Sequence, residues 1–168
     1  MSDDARTEPG GLADERTSLS GWLDFHRATL LRKCAGLSDE QLRRPMVASG
    51  TSLLGLVKHL TEVEHGWFVR TFARLDEPHL YSTDADLDAD MVAAPDESAD
   101  ELVAAYLRAC ARSRDITAAA ASLDDAVPHG RLGQVNLRWI LTHMVEETAR
   151  HNGHADILRE QIDGAAGL

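Results

Sequence analysis

Four side chains in the stretch THMVEETARHNGH could do chemistry: His143, Glu147, His151 and His154, at spacings of four, four and three. Imidazoles and a carboxylate offer lone pairs to a metal ion, acceptors to a proton, or partners to one another. The stretch begins inside the apolar run LRWILTHMV and ends beside ADIL, which predicts one continuous helix. At ~100° per residue, Leu137, Ile140, Leu141, Met144, Ala155 and Leu158 define its apolar side. His151 falls about 30° from the centre of that side and Glu147 about 70°. His143 and His154 lie near its border, while Arg138, Glu146, Arg150, Asp156 and Glu160 face away. Glu147 and His151 are therefore directed inward together, one turn apart.

A buried carboxylate needs a partner, since leaving it unpaired costs several kcal/mol. Three arrangements would satisfy it: a Glu–His ion pair in the core, access to solvent at a groove, or ligation of a metal by an i, i+4 pair. Metal ligation calls for a third ligand from another helix. His59, in GLVKHLTEVEHGW, sits at the edge of the stripe Leu53, Leu56, Val57, Leu60, Val63 and Trp67, close to Val63 and Gly66. Glu64 falls within that stripe and requires an arginine or backbone donor; it is a candidate to support the ligands from behind. His65 points away from the stripe and reads as surface. Glu62-x-x-His65 matches the motif of di-iron bundles, but such sites need two copies, and the last helix carries Glu147-x-x-x-His151 instead. His26, His79 and His129 are expected to face solvent.

Helices must position these groups. The periodicity predicts a first helix over about 14–35, with Trp22, Phe25, Leu30 and Leu31 among its apolar positions, and a second over about 52–74. Ser38–Gln41 and Ser98–Glu101 have the form of capping boxes, the latter opening a helix to about 122. Asn136 caps the last helix, which runs to about 161 and stops before Gly164. Between the second and third long helices, residues 76–97 hold eight acidic residues and neither Lys nor Arg. That composition predicts a solvated loop, one that could cover a pocket mouth or cross the bundle. Nothing alternates convincingly at period two. The expected fold is all-α: a four-helix bundle with long connections over 14–161, a disordered lead at 1–13 and a short tail at 162–168.

Hydrophobic residues make up 43% of the 168 and charged residues 27%, values of an ordinary globular domain. No apolar run approaches the roughly 20 residues of a membrane span, and the acidic N-terminus lacks a signal-peptide pattern, so the expected location is the cytoplasm. A net charge of -11 repels phosphate backbones and argues against a nucleic-acid partner. Cys34 and Cys110 are isolated thiols on helices, expected as small buried core residues.

SLLGLVKHLTEVEHGWF, followed downstream by LRWILTHMVEETARHNGHADILRE, resembles the DinB-like superfamily, and more closely its actinobacterial mycothiol S-transferase-like branch. LLRKCAGLSDEQLRRPMVASGTSLLGLVKHL fits the same branch, so the resemblance covers about residues 14–161. It implies a four-helix bundle holding a divalent metal by one histidine of the second helix and two ligands of the last. The matching positions are His59, Glu147 and His151, with His154 and His143 as supporting residues around them. It further implies Zn²⁺, with Ni²⁺, Fe²⁺ or Mn²⁺ accepting the same donors, and a low-molecular-weight thiol, mycothiol, activated for transfer of its sulfur to an electrophile. Mycothiol-dependent isomerases of the superfamily carry an additional C-terminal domain that helps hold the thiol, and no such domain is expected here. Relatives often pair, so a homodimer is a further expectation. The rival expectation is a bundle that binds metal or a small molecule without catalysis.

Overall fold

The computed structural model describes residues 6–83 and 85–167; the expectations for residues 1–5 and Leu168 lie outside the described residues. The elements in order are α1 (Glu15–Cys34), α2 (Asp39–Arg43), α3 (Leu53–Glu64), α4 (Ala99–Ala119), β1 (Ala126–His129), β2 (Gly133–Asn136) and α5 (Leu137–Asp163). The four long helices form a bundle in which α1 packs on α5, α3 packs on α4, and α3 also meets α5. None of the described helices is long and apolar enough to cross a membrane.

Local chemistry explains where the helices start and stop. Ser38 and Ser98 each accept from the backbone three residues on, while Gln41 and Glu101 reach back to close reciprocal capping boxes. Asn136 accepts from the Trp139 amide at 2.9 Å. Gly164 ends α5 in the left-handed region, φ 77°, where its amide reaches the Glu160 carbonyl at 2.8 Å.

Three features depart from the sequence reading. First, α3 runs without a break into a π-helix over His65–Phe72, as when the Ala73 amide reaches back five residues to the Phe68 carbonyl at 2.9 Å. The wider turn rotates the chain, so Phe68 and Val69 enter the core and Trp67 is only half-buried. Second, the loop after α4 contains a two-stranded antiparallel hairpin, with Val127 opposite Val135 and His129 opposite Gly133. Strands of four residues, one holding Pro128, are too short for alternation to show. Third, Trp22 lies at the surface, its ring edge-on to Phe25 at 5.5 Å. The described part of the expected disordered lead has no regular structure, yet it lies on α1: the Arg6 guanidinium stands 4.8 Å from the Phe25 ring centroid.

The acidic 76–97 connection is a strap along α3 rather than a free loop. Gly55 permits the close approach, since a Cβ there would sit 2.2 Å from the Met91 carbonyl oxygen. Lys58 donates to the Val92 carbonyl and to Glu97, both at 2.9 Å, and Arg112 grips Glu77 with two bonds of 2.8 and 2.5 Å. Glu62 accepts the Leu80 and Tyr81 amides at 2.8 and 2.7 Å. The helices thus supply the cations that the strap lacks.

The core is divided in two. One apolar cluster holds Leu30, Leu53, Leu56, Leu60, Tyr106, Ala155 and Leu158; the other holds Leu23, Phe68, Leu137, Ile140, Leu141 and Met144. Between them along the helices lie buried polar residues: Arg27 on α1, Thr61 and Glu64 on α3, Thr148, His151 and Asn152 on α5. This polar layer contains the candidate site.

Candidate metal centre

α3 and α5 run antiparallel across the groove they share. His59 meets Glu147 and His151, whereas Trp67, two turns further along α3, meets His143 and Trp139. His59, Glu147 and His151 each offer one ligand atom, and the three atoms lie within 4.8 Å of one another. Glu147 Oε1 is 3.1 Å from His151 Nε2 and 3.5 Å from His59 Nε2. The His59 and His151 rings stand edge to face, centroids 4.8 Å apart.

The Glu147–His151 spacing is that of a hydrogen bond, and the Glu147–His59 spacing is longer than such a bond favours. A neutral N–H···O bond favours ~2.9–3.0 Å, and 3.5 Å is at its limit. Donors around a tetrahedral ion with bonds of ~2.0–2.1 Å are separated by roughly 3.3–3.4 Å, a length bracketed by the two observed contacts. The donor set, two imidazole nitrogens and one carboxylate oxygen, fits a divalent cation.

Each ligand is prepared electrostatically. Burial works to lower the His59 pKa, but the hydrogen bond and charge of Asp90, then those of Glu147, outweigh it and hold His59 above its ordinary value. For His151, burial and then the His59 charge push the pKa down, so the ring is neutral at pH 7. Burial would raise Glu147, but His151 and then Arg150 outweigh it and keep the carboxylate ionised.

The positions expected to surround the triad separate into two kinds. His154 stands beside it, Nδ1 to Nδ1 of His151 at 3.4 Å, at the ring nitrogen that does not meet Glu147. His143 instead joins an aromatic group one turn below, stacked on Trp139 at 5.1 Å and edge-on to Trp67 at 4.9 Å. Glu64 sits elsewhere in the polar layer, with both oxygens taken by Arg27 at 2.7 and 2.6 Å. An arginine donor was required of it, and that donor is Arg27.

The remaining histidines differ from expectation. His65 is buried, Nε2 donating to the Pro78 carbonyl at 3.0 Å, because the strap covers the α3 face that the periodicity assigns to solvent. His79 is half-buried between Glu62 and Arg70, and His129 stacks on Trp67, rings 11° from parallel. His26 is half-buried beside Asn152, and burial lowers its pKa. Cys34 and Cys110 are buried thiols whose pKa burial pushes up to about 12.

One residue was missed. Asp90, on a single 3₁₀ turn of the strap, accepts from His59 Nδ1 at 2.9 Å and is itself buried. That bond makes Nδ1 the donor to Asp90, so Nε2 is the nitrogen that a metal ion would take. Nothing local distinguishes Asp90 from the other aspartates of DADLDAD. The signal that could have found it is chemical: a ligating histidine needs an acceptor for its second nitrogen, and an all-acidic segment follows α3.

A family model described as mycothiol-S-transferase matches residues 18–164. The chain belongs to that family. It is a DinB-like family, and the helical bundle is of that kind. The fold also resembles a solved structure titled "Crystal structure of the conserved protein of locus from Enterococcus faecalis", with TM-score 0.61, 16% identity, and coverage of 88% of this chain and 96% of that one. At that identity the likeness speaks for the fold alone. No curated protein matches. Membership indicates a mycothiol S-transferase-like role, and the His–Glu–His cluster is a possible divalent-metal site within it.

Proposed function

We propose that the protein is a metal-dependent thiol S-transferase in which His59, Glu147 and His151 hold a divalent cation and mycothiol is the thiol. The observation carrying this reading is the gathering of two imidazole nitrogens and a carboxylate oxygen within 4.8 Å of one another, Glu147 standing 3.1 and 3.5 Å from the two histidines. Three protein ligands leave a position open for substrate, whereas four would close a structural site. The N₂O donor set suits Zn²⁺, and Ni²⁺, Fe²⁺ and Mn²⁺ take the same atoms. When bound, such a cation supplies Lewis acidity that makes a thiol ionise near neutral pH.

The chain's own residues do the remainder. Asp90 holds His59 in one tautomer and orientation, and the helices hold Glu147 and His151 one turn apart. Glu147 contributes one negative charge against the two of the cation, so the site keeps a positive balance that favours an anionic sulfur. The flanking apolar clusters limit water and strengthen these interactions. No protein thiol takes part, because Cys34 and Cys110 stay protonated. The nucleophile is the substrate's own sulfur: its S–H bond gives way to a bond to the electrophile, and the proton leaves with the displaced group or is taken up by the adduct.

The test is elemental analysis of untagged protein beside His59→Ala, followed by a thiol-transfer assay. One divalent metal per chain, lost in the variant, together with turnover supports the proposal. Metal and thiol binding without turnover would leave a non-catalytic binding bundle, and absence of metal after incubation with Zn²⁺ or Ni²⁺ would return the triad to a buried polar cluster.

A further inference from the structure

A cleft of about 430 Å³ has among its walls Glu62 and Val63 of α3, Gly66, Trp67 and Arg70 of the π-helix and His129 of the hairpin. Val63 lies one turn beyond His59, roughly 6 Å along the helix axis. The cleft thus reaches the helix one turn on from His59.

Gly66 is the first unexplained feature. Glycine inside a helix costs stability relative to alanine. In α3 that cost has a steric reason, since Gly55 admits the strap backbone. At Gly66 a Cβ would meet nothing within 4 Å, and no left-handed φ demands glycine there. What this glycine preserves is empty space on the cleft wall. It also lies in the π-helix, a rare geometry found frequently at functional sites.

Arg70 is the second. Its Nε donates to the Glu77 carbonyl at 3.0 Å and its Nη1 to His79 Nε2 at 2.6 Å. His79 in turn donates from Nδ1 to Glu62 at 2.8 Å. The Glu62 carboxylate is thus occupied by His79 and the strap amides, leaving Arg70 Nη2 without an acceptor among the described residues. In a chain of net charge -11, a guanidinium with free N–H groups at a cleft is placed to receive an anion. Trp67, stacked on His129, adds a flat apolar wall.

We propose that this cleft binds a small organic carboxylate, its anionic group on Arg70 and its body over Gly66 against Trp67. Resting on the function proposed above, that molecule is the electrophile, held with its far end toward the triad.

The experiment is calorimetric titration of phenylacetate and of its uncharged amide, phenylacetamide, into metal-stripped and zinc-loaded protein. Phenylacetate is expected to bind about 10- to 100-fold more tightly than the amide in both forms, the range of one charged hydrogen-bonding contact. Arg70→Gln should abolish that preference, and Arg70→Lys should retain part of it, lacking the planar fork. Arg112→Gln, which loosens the same strap residue Glu77 away from the cleft, should keep it in full. Gly66→Leu fills the cleft at an uncrowded helical position, so the melting temperature should rise while both ligands are lost. Equal binding of acid and amide by the wild type, or a preference that survives Arg70→Gln or Gly66→Leu, overturns the proposal. If the carboxylate binds as expected and zinc-loaded protein never transfers sulfur, the function falls and the cleft stands. If transfer proceeds but ignores both substitutions, the cleft falls and the function stands.

Discussion

Two glutamates in the polar layer, Glu64 on α3 and Glu147 on α5, have similar surroundings and opposite degrees of satisfaction. Glu64 is 1% exposed, and Arg27 meets both of its oxygens in a fork while reaching Asp24 with Nη1 at 2.8 Å. Burial works against the Arg27 charge, but Glu64 outweighs it and keeps the guanidinium protonated. Charge and lone pairs are matched within that group. Glu147 has two imidazole nitrogens at 3.1 and 3.5 Å, and Arg150, largely exposed, at 3.7 Å from Oε2. Its Oε2 has no partner closer than that arginine among the described residues. Burial alone does not tell a structural carboxylate from a functional one; what separates them is whether the neighbours exhaust it.

The largest way to break the comparison is on the saturated side. Glu64→Gln leaves the Arg27 charge buried without its counter-ion, and removing one member of such a pair costs about 3–5 kcal/mol. Chemical denaturation should show that loss, while metal content per folded chain stays at the wild-type value. Replacing both, Arg27→Met with Glu64→Leu, should recover most of it, because no orphaned charge remains. If Glu64→Gln instead emptied the metal site at full stability, the two glutamates would not be separate in role.

Glu147→Gln should show the reverse pattern. Metal affinity falls by more than the about 10- to 100-fold that loss of an outer hydrogen-bond partner costs, because a ligand and its charge go together. Stability of the metal-stripped protein should change by less than about 1 kcal/mol, since the amide keeps the shape and its oxygen can still accept from His151. His151→Ala should likewise lose metal, whereas His129→Ala should not. Equal metal retention in the His151 and His129 variants would contradict the ligand assignment.

How much of this contrast can be read from sequence depends on which interactions are local. The period of α5 alone turns Glu147 and His151 inward, and the capping boxes at Ser38 and Ser98 are visible as four-residue patterns. Glu64's position in the apolar stripe already demands a donor, but only the fold identifies Arg27, 37 residues earlier. The strap defeats periodicity differently. It buries Lys58, Glu62 and His65 on the α3 face opposite the core, so polar residues there look exposed while being enclosed. The π-helix has no residue signature of its own, and it exchanges Trp67 for Phe68 and Val69 in the core. Asp90 is hidden for the same reason as Arg27: its partner lies far off, 31 residues away.

A smaller, qualitative contrast concerns the thiols. Burial pushes both Cys34 and Cys110 up to about 12, so almost no thiolate exists at pH 8. Iodoacetamide at pH 8 should label the native protein slowly at both positions and the unfolded protein fast, with transfer activity unaffected by the treatment. Rapid native labelling accompanied by loss of activity would bring a protein cysteine into the chemistry.

The subtlest test probes Asp90 from the strap side. Its bond raises the His59 pKa, against the lowering by burial, so protonated His59 is favoured by folding in the metal-stripped protein. A folded-state pKa above the unfolded value means that this contribution is fully present below about pH 6.5. It is lost as the pH rises through the folded-state value. Asp90→Asn removes the charge and keeps the size, so the His59 pKa, followed by NMR of the imidazole, should fall, and this pH-dependent part of the stability should shrink with it. The same variant loaded with metal should bind about 10- to 100-fold more weakly, as the tautomer is no longer fixed by a charge. An unchanged His59 titration would mean that Glu147 alone sets it, and Asp90 would then be a strap anchor no different in kind from Glu97 on Lys58.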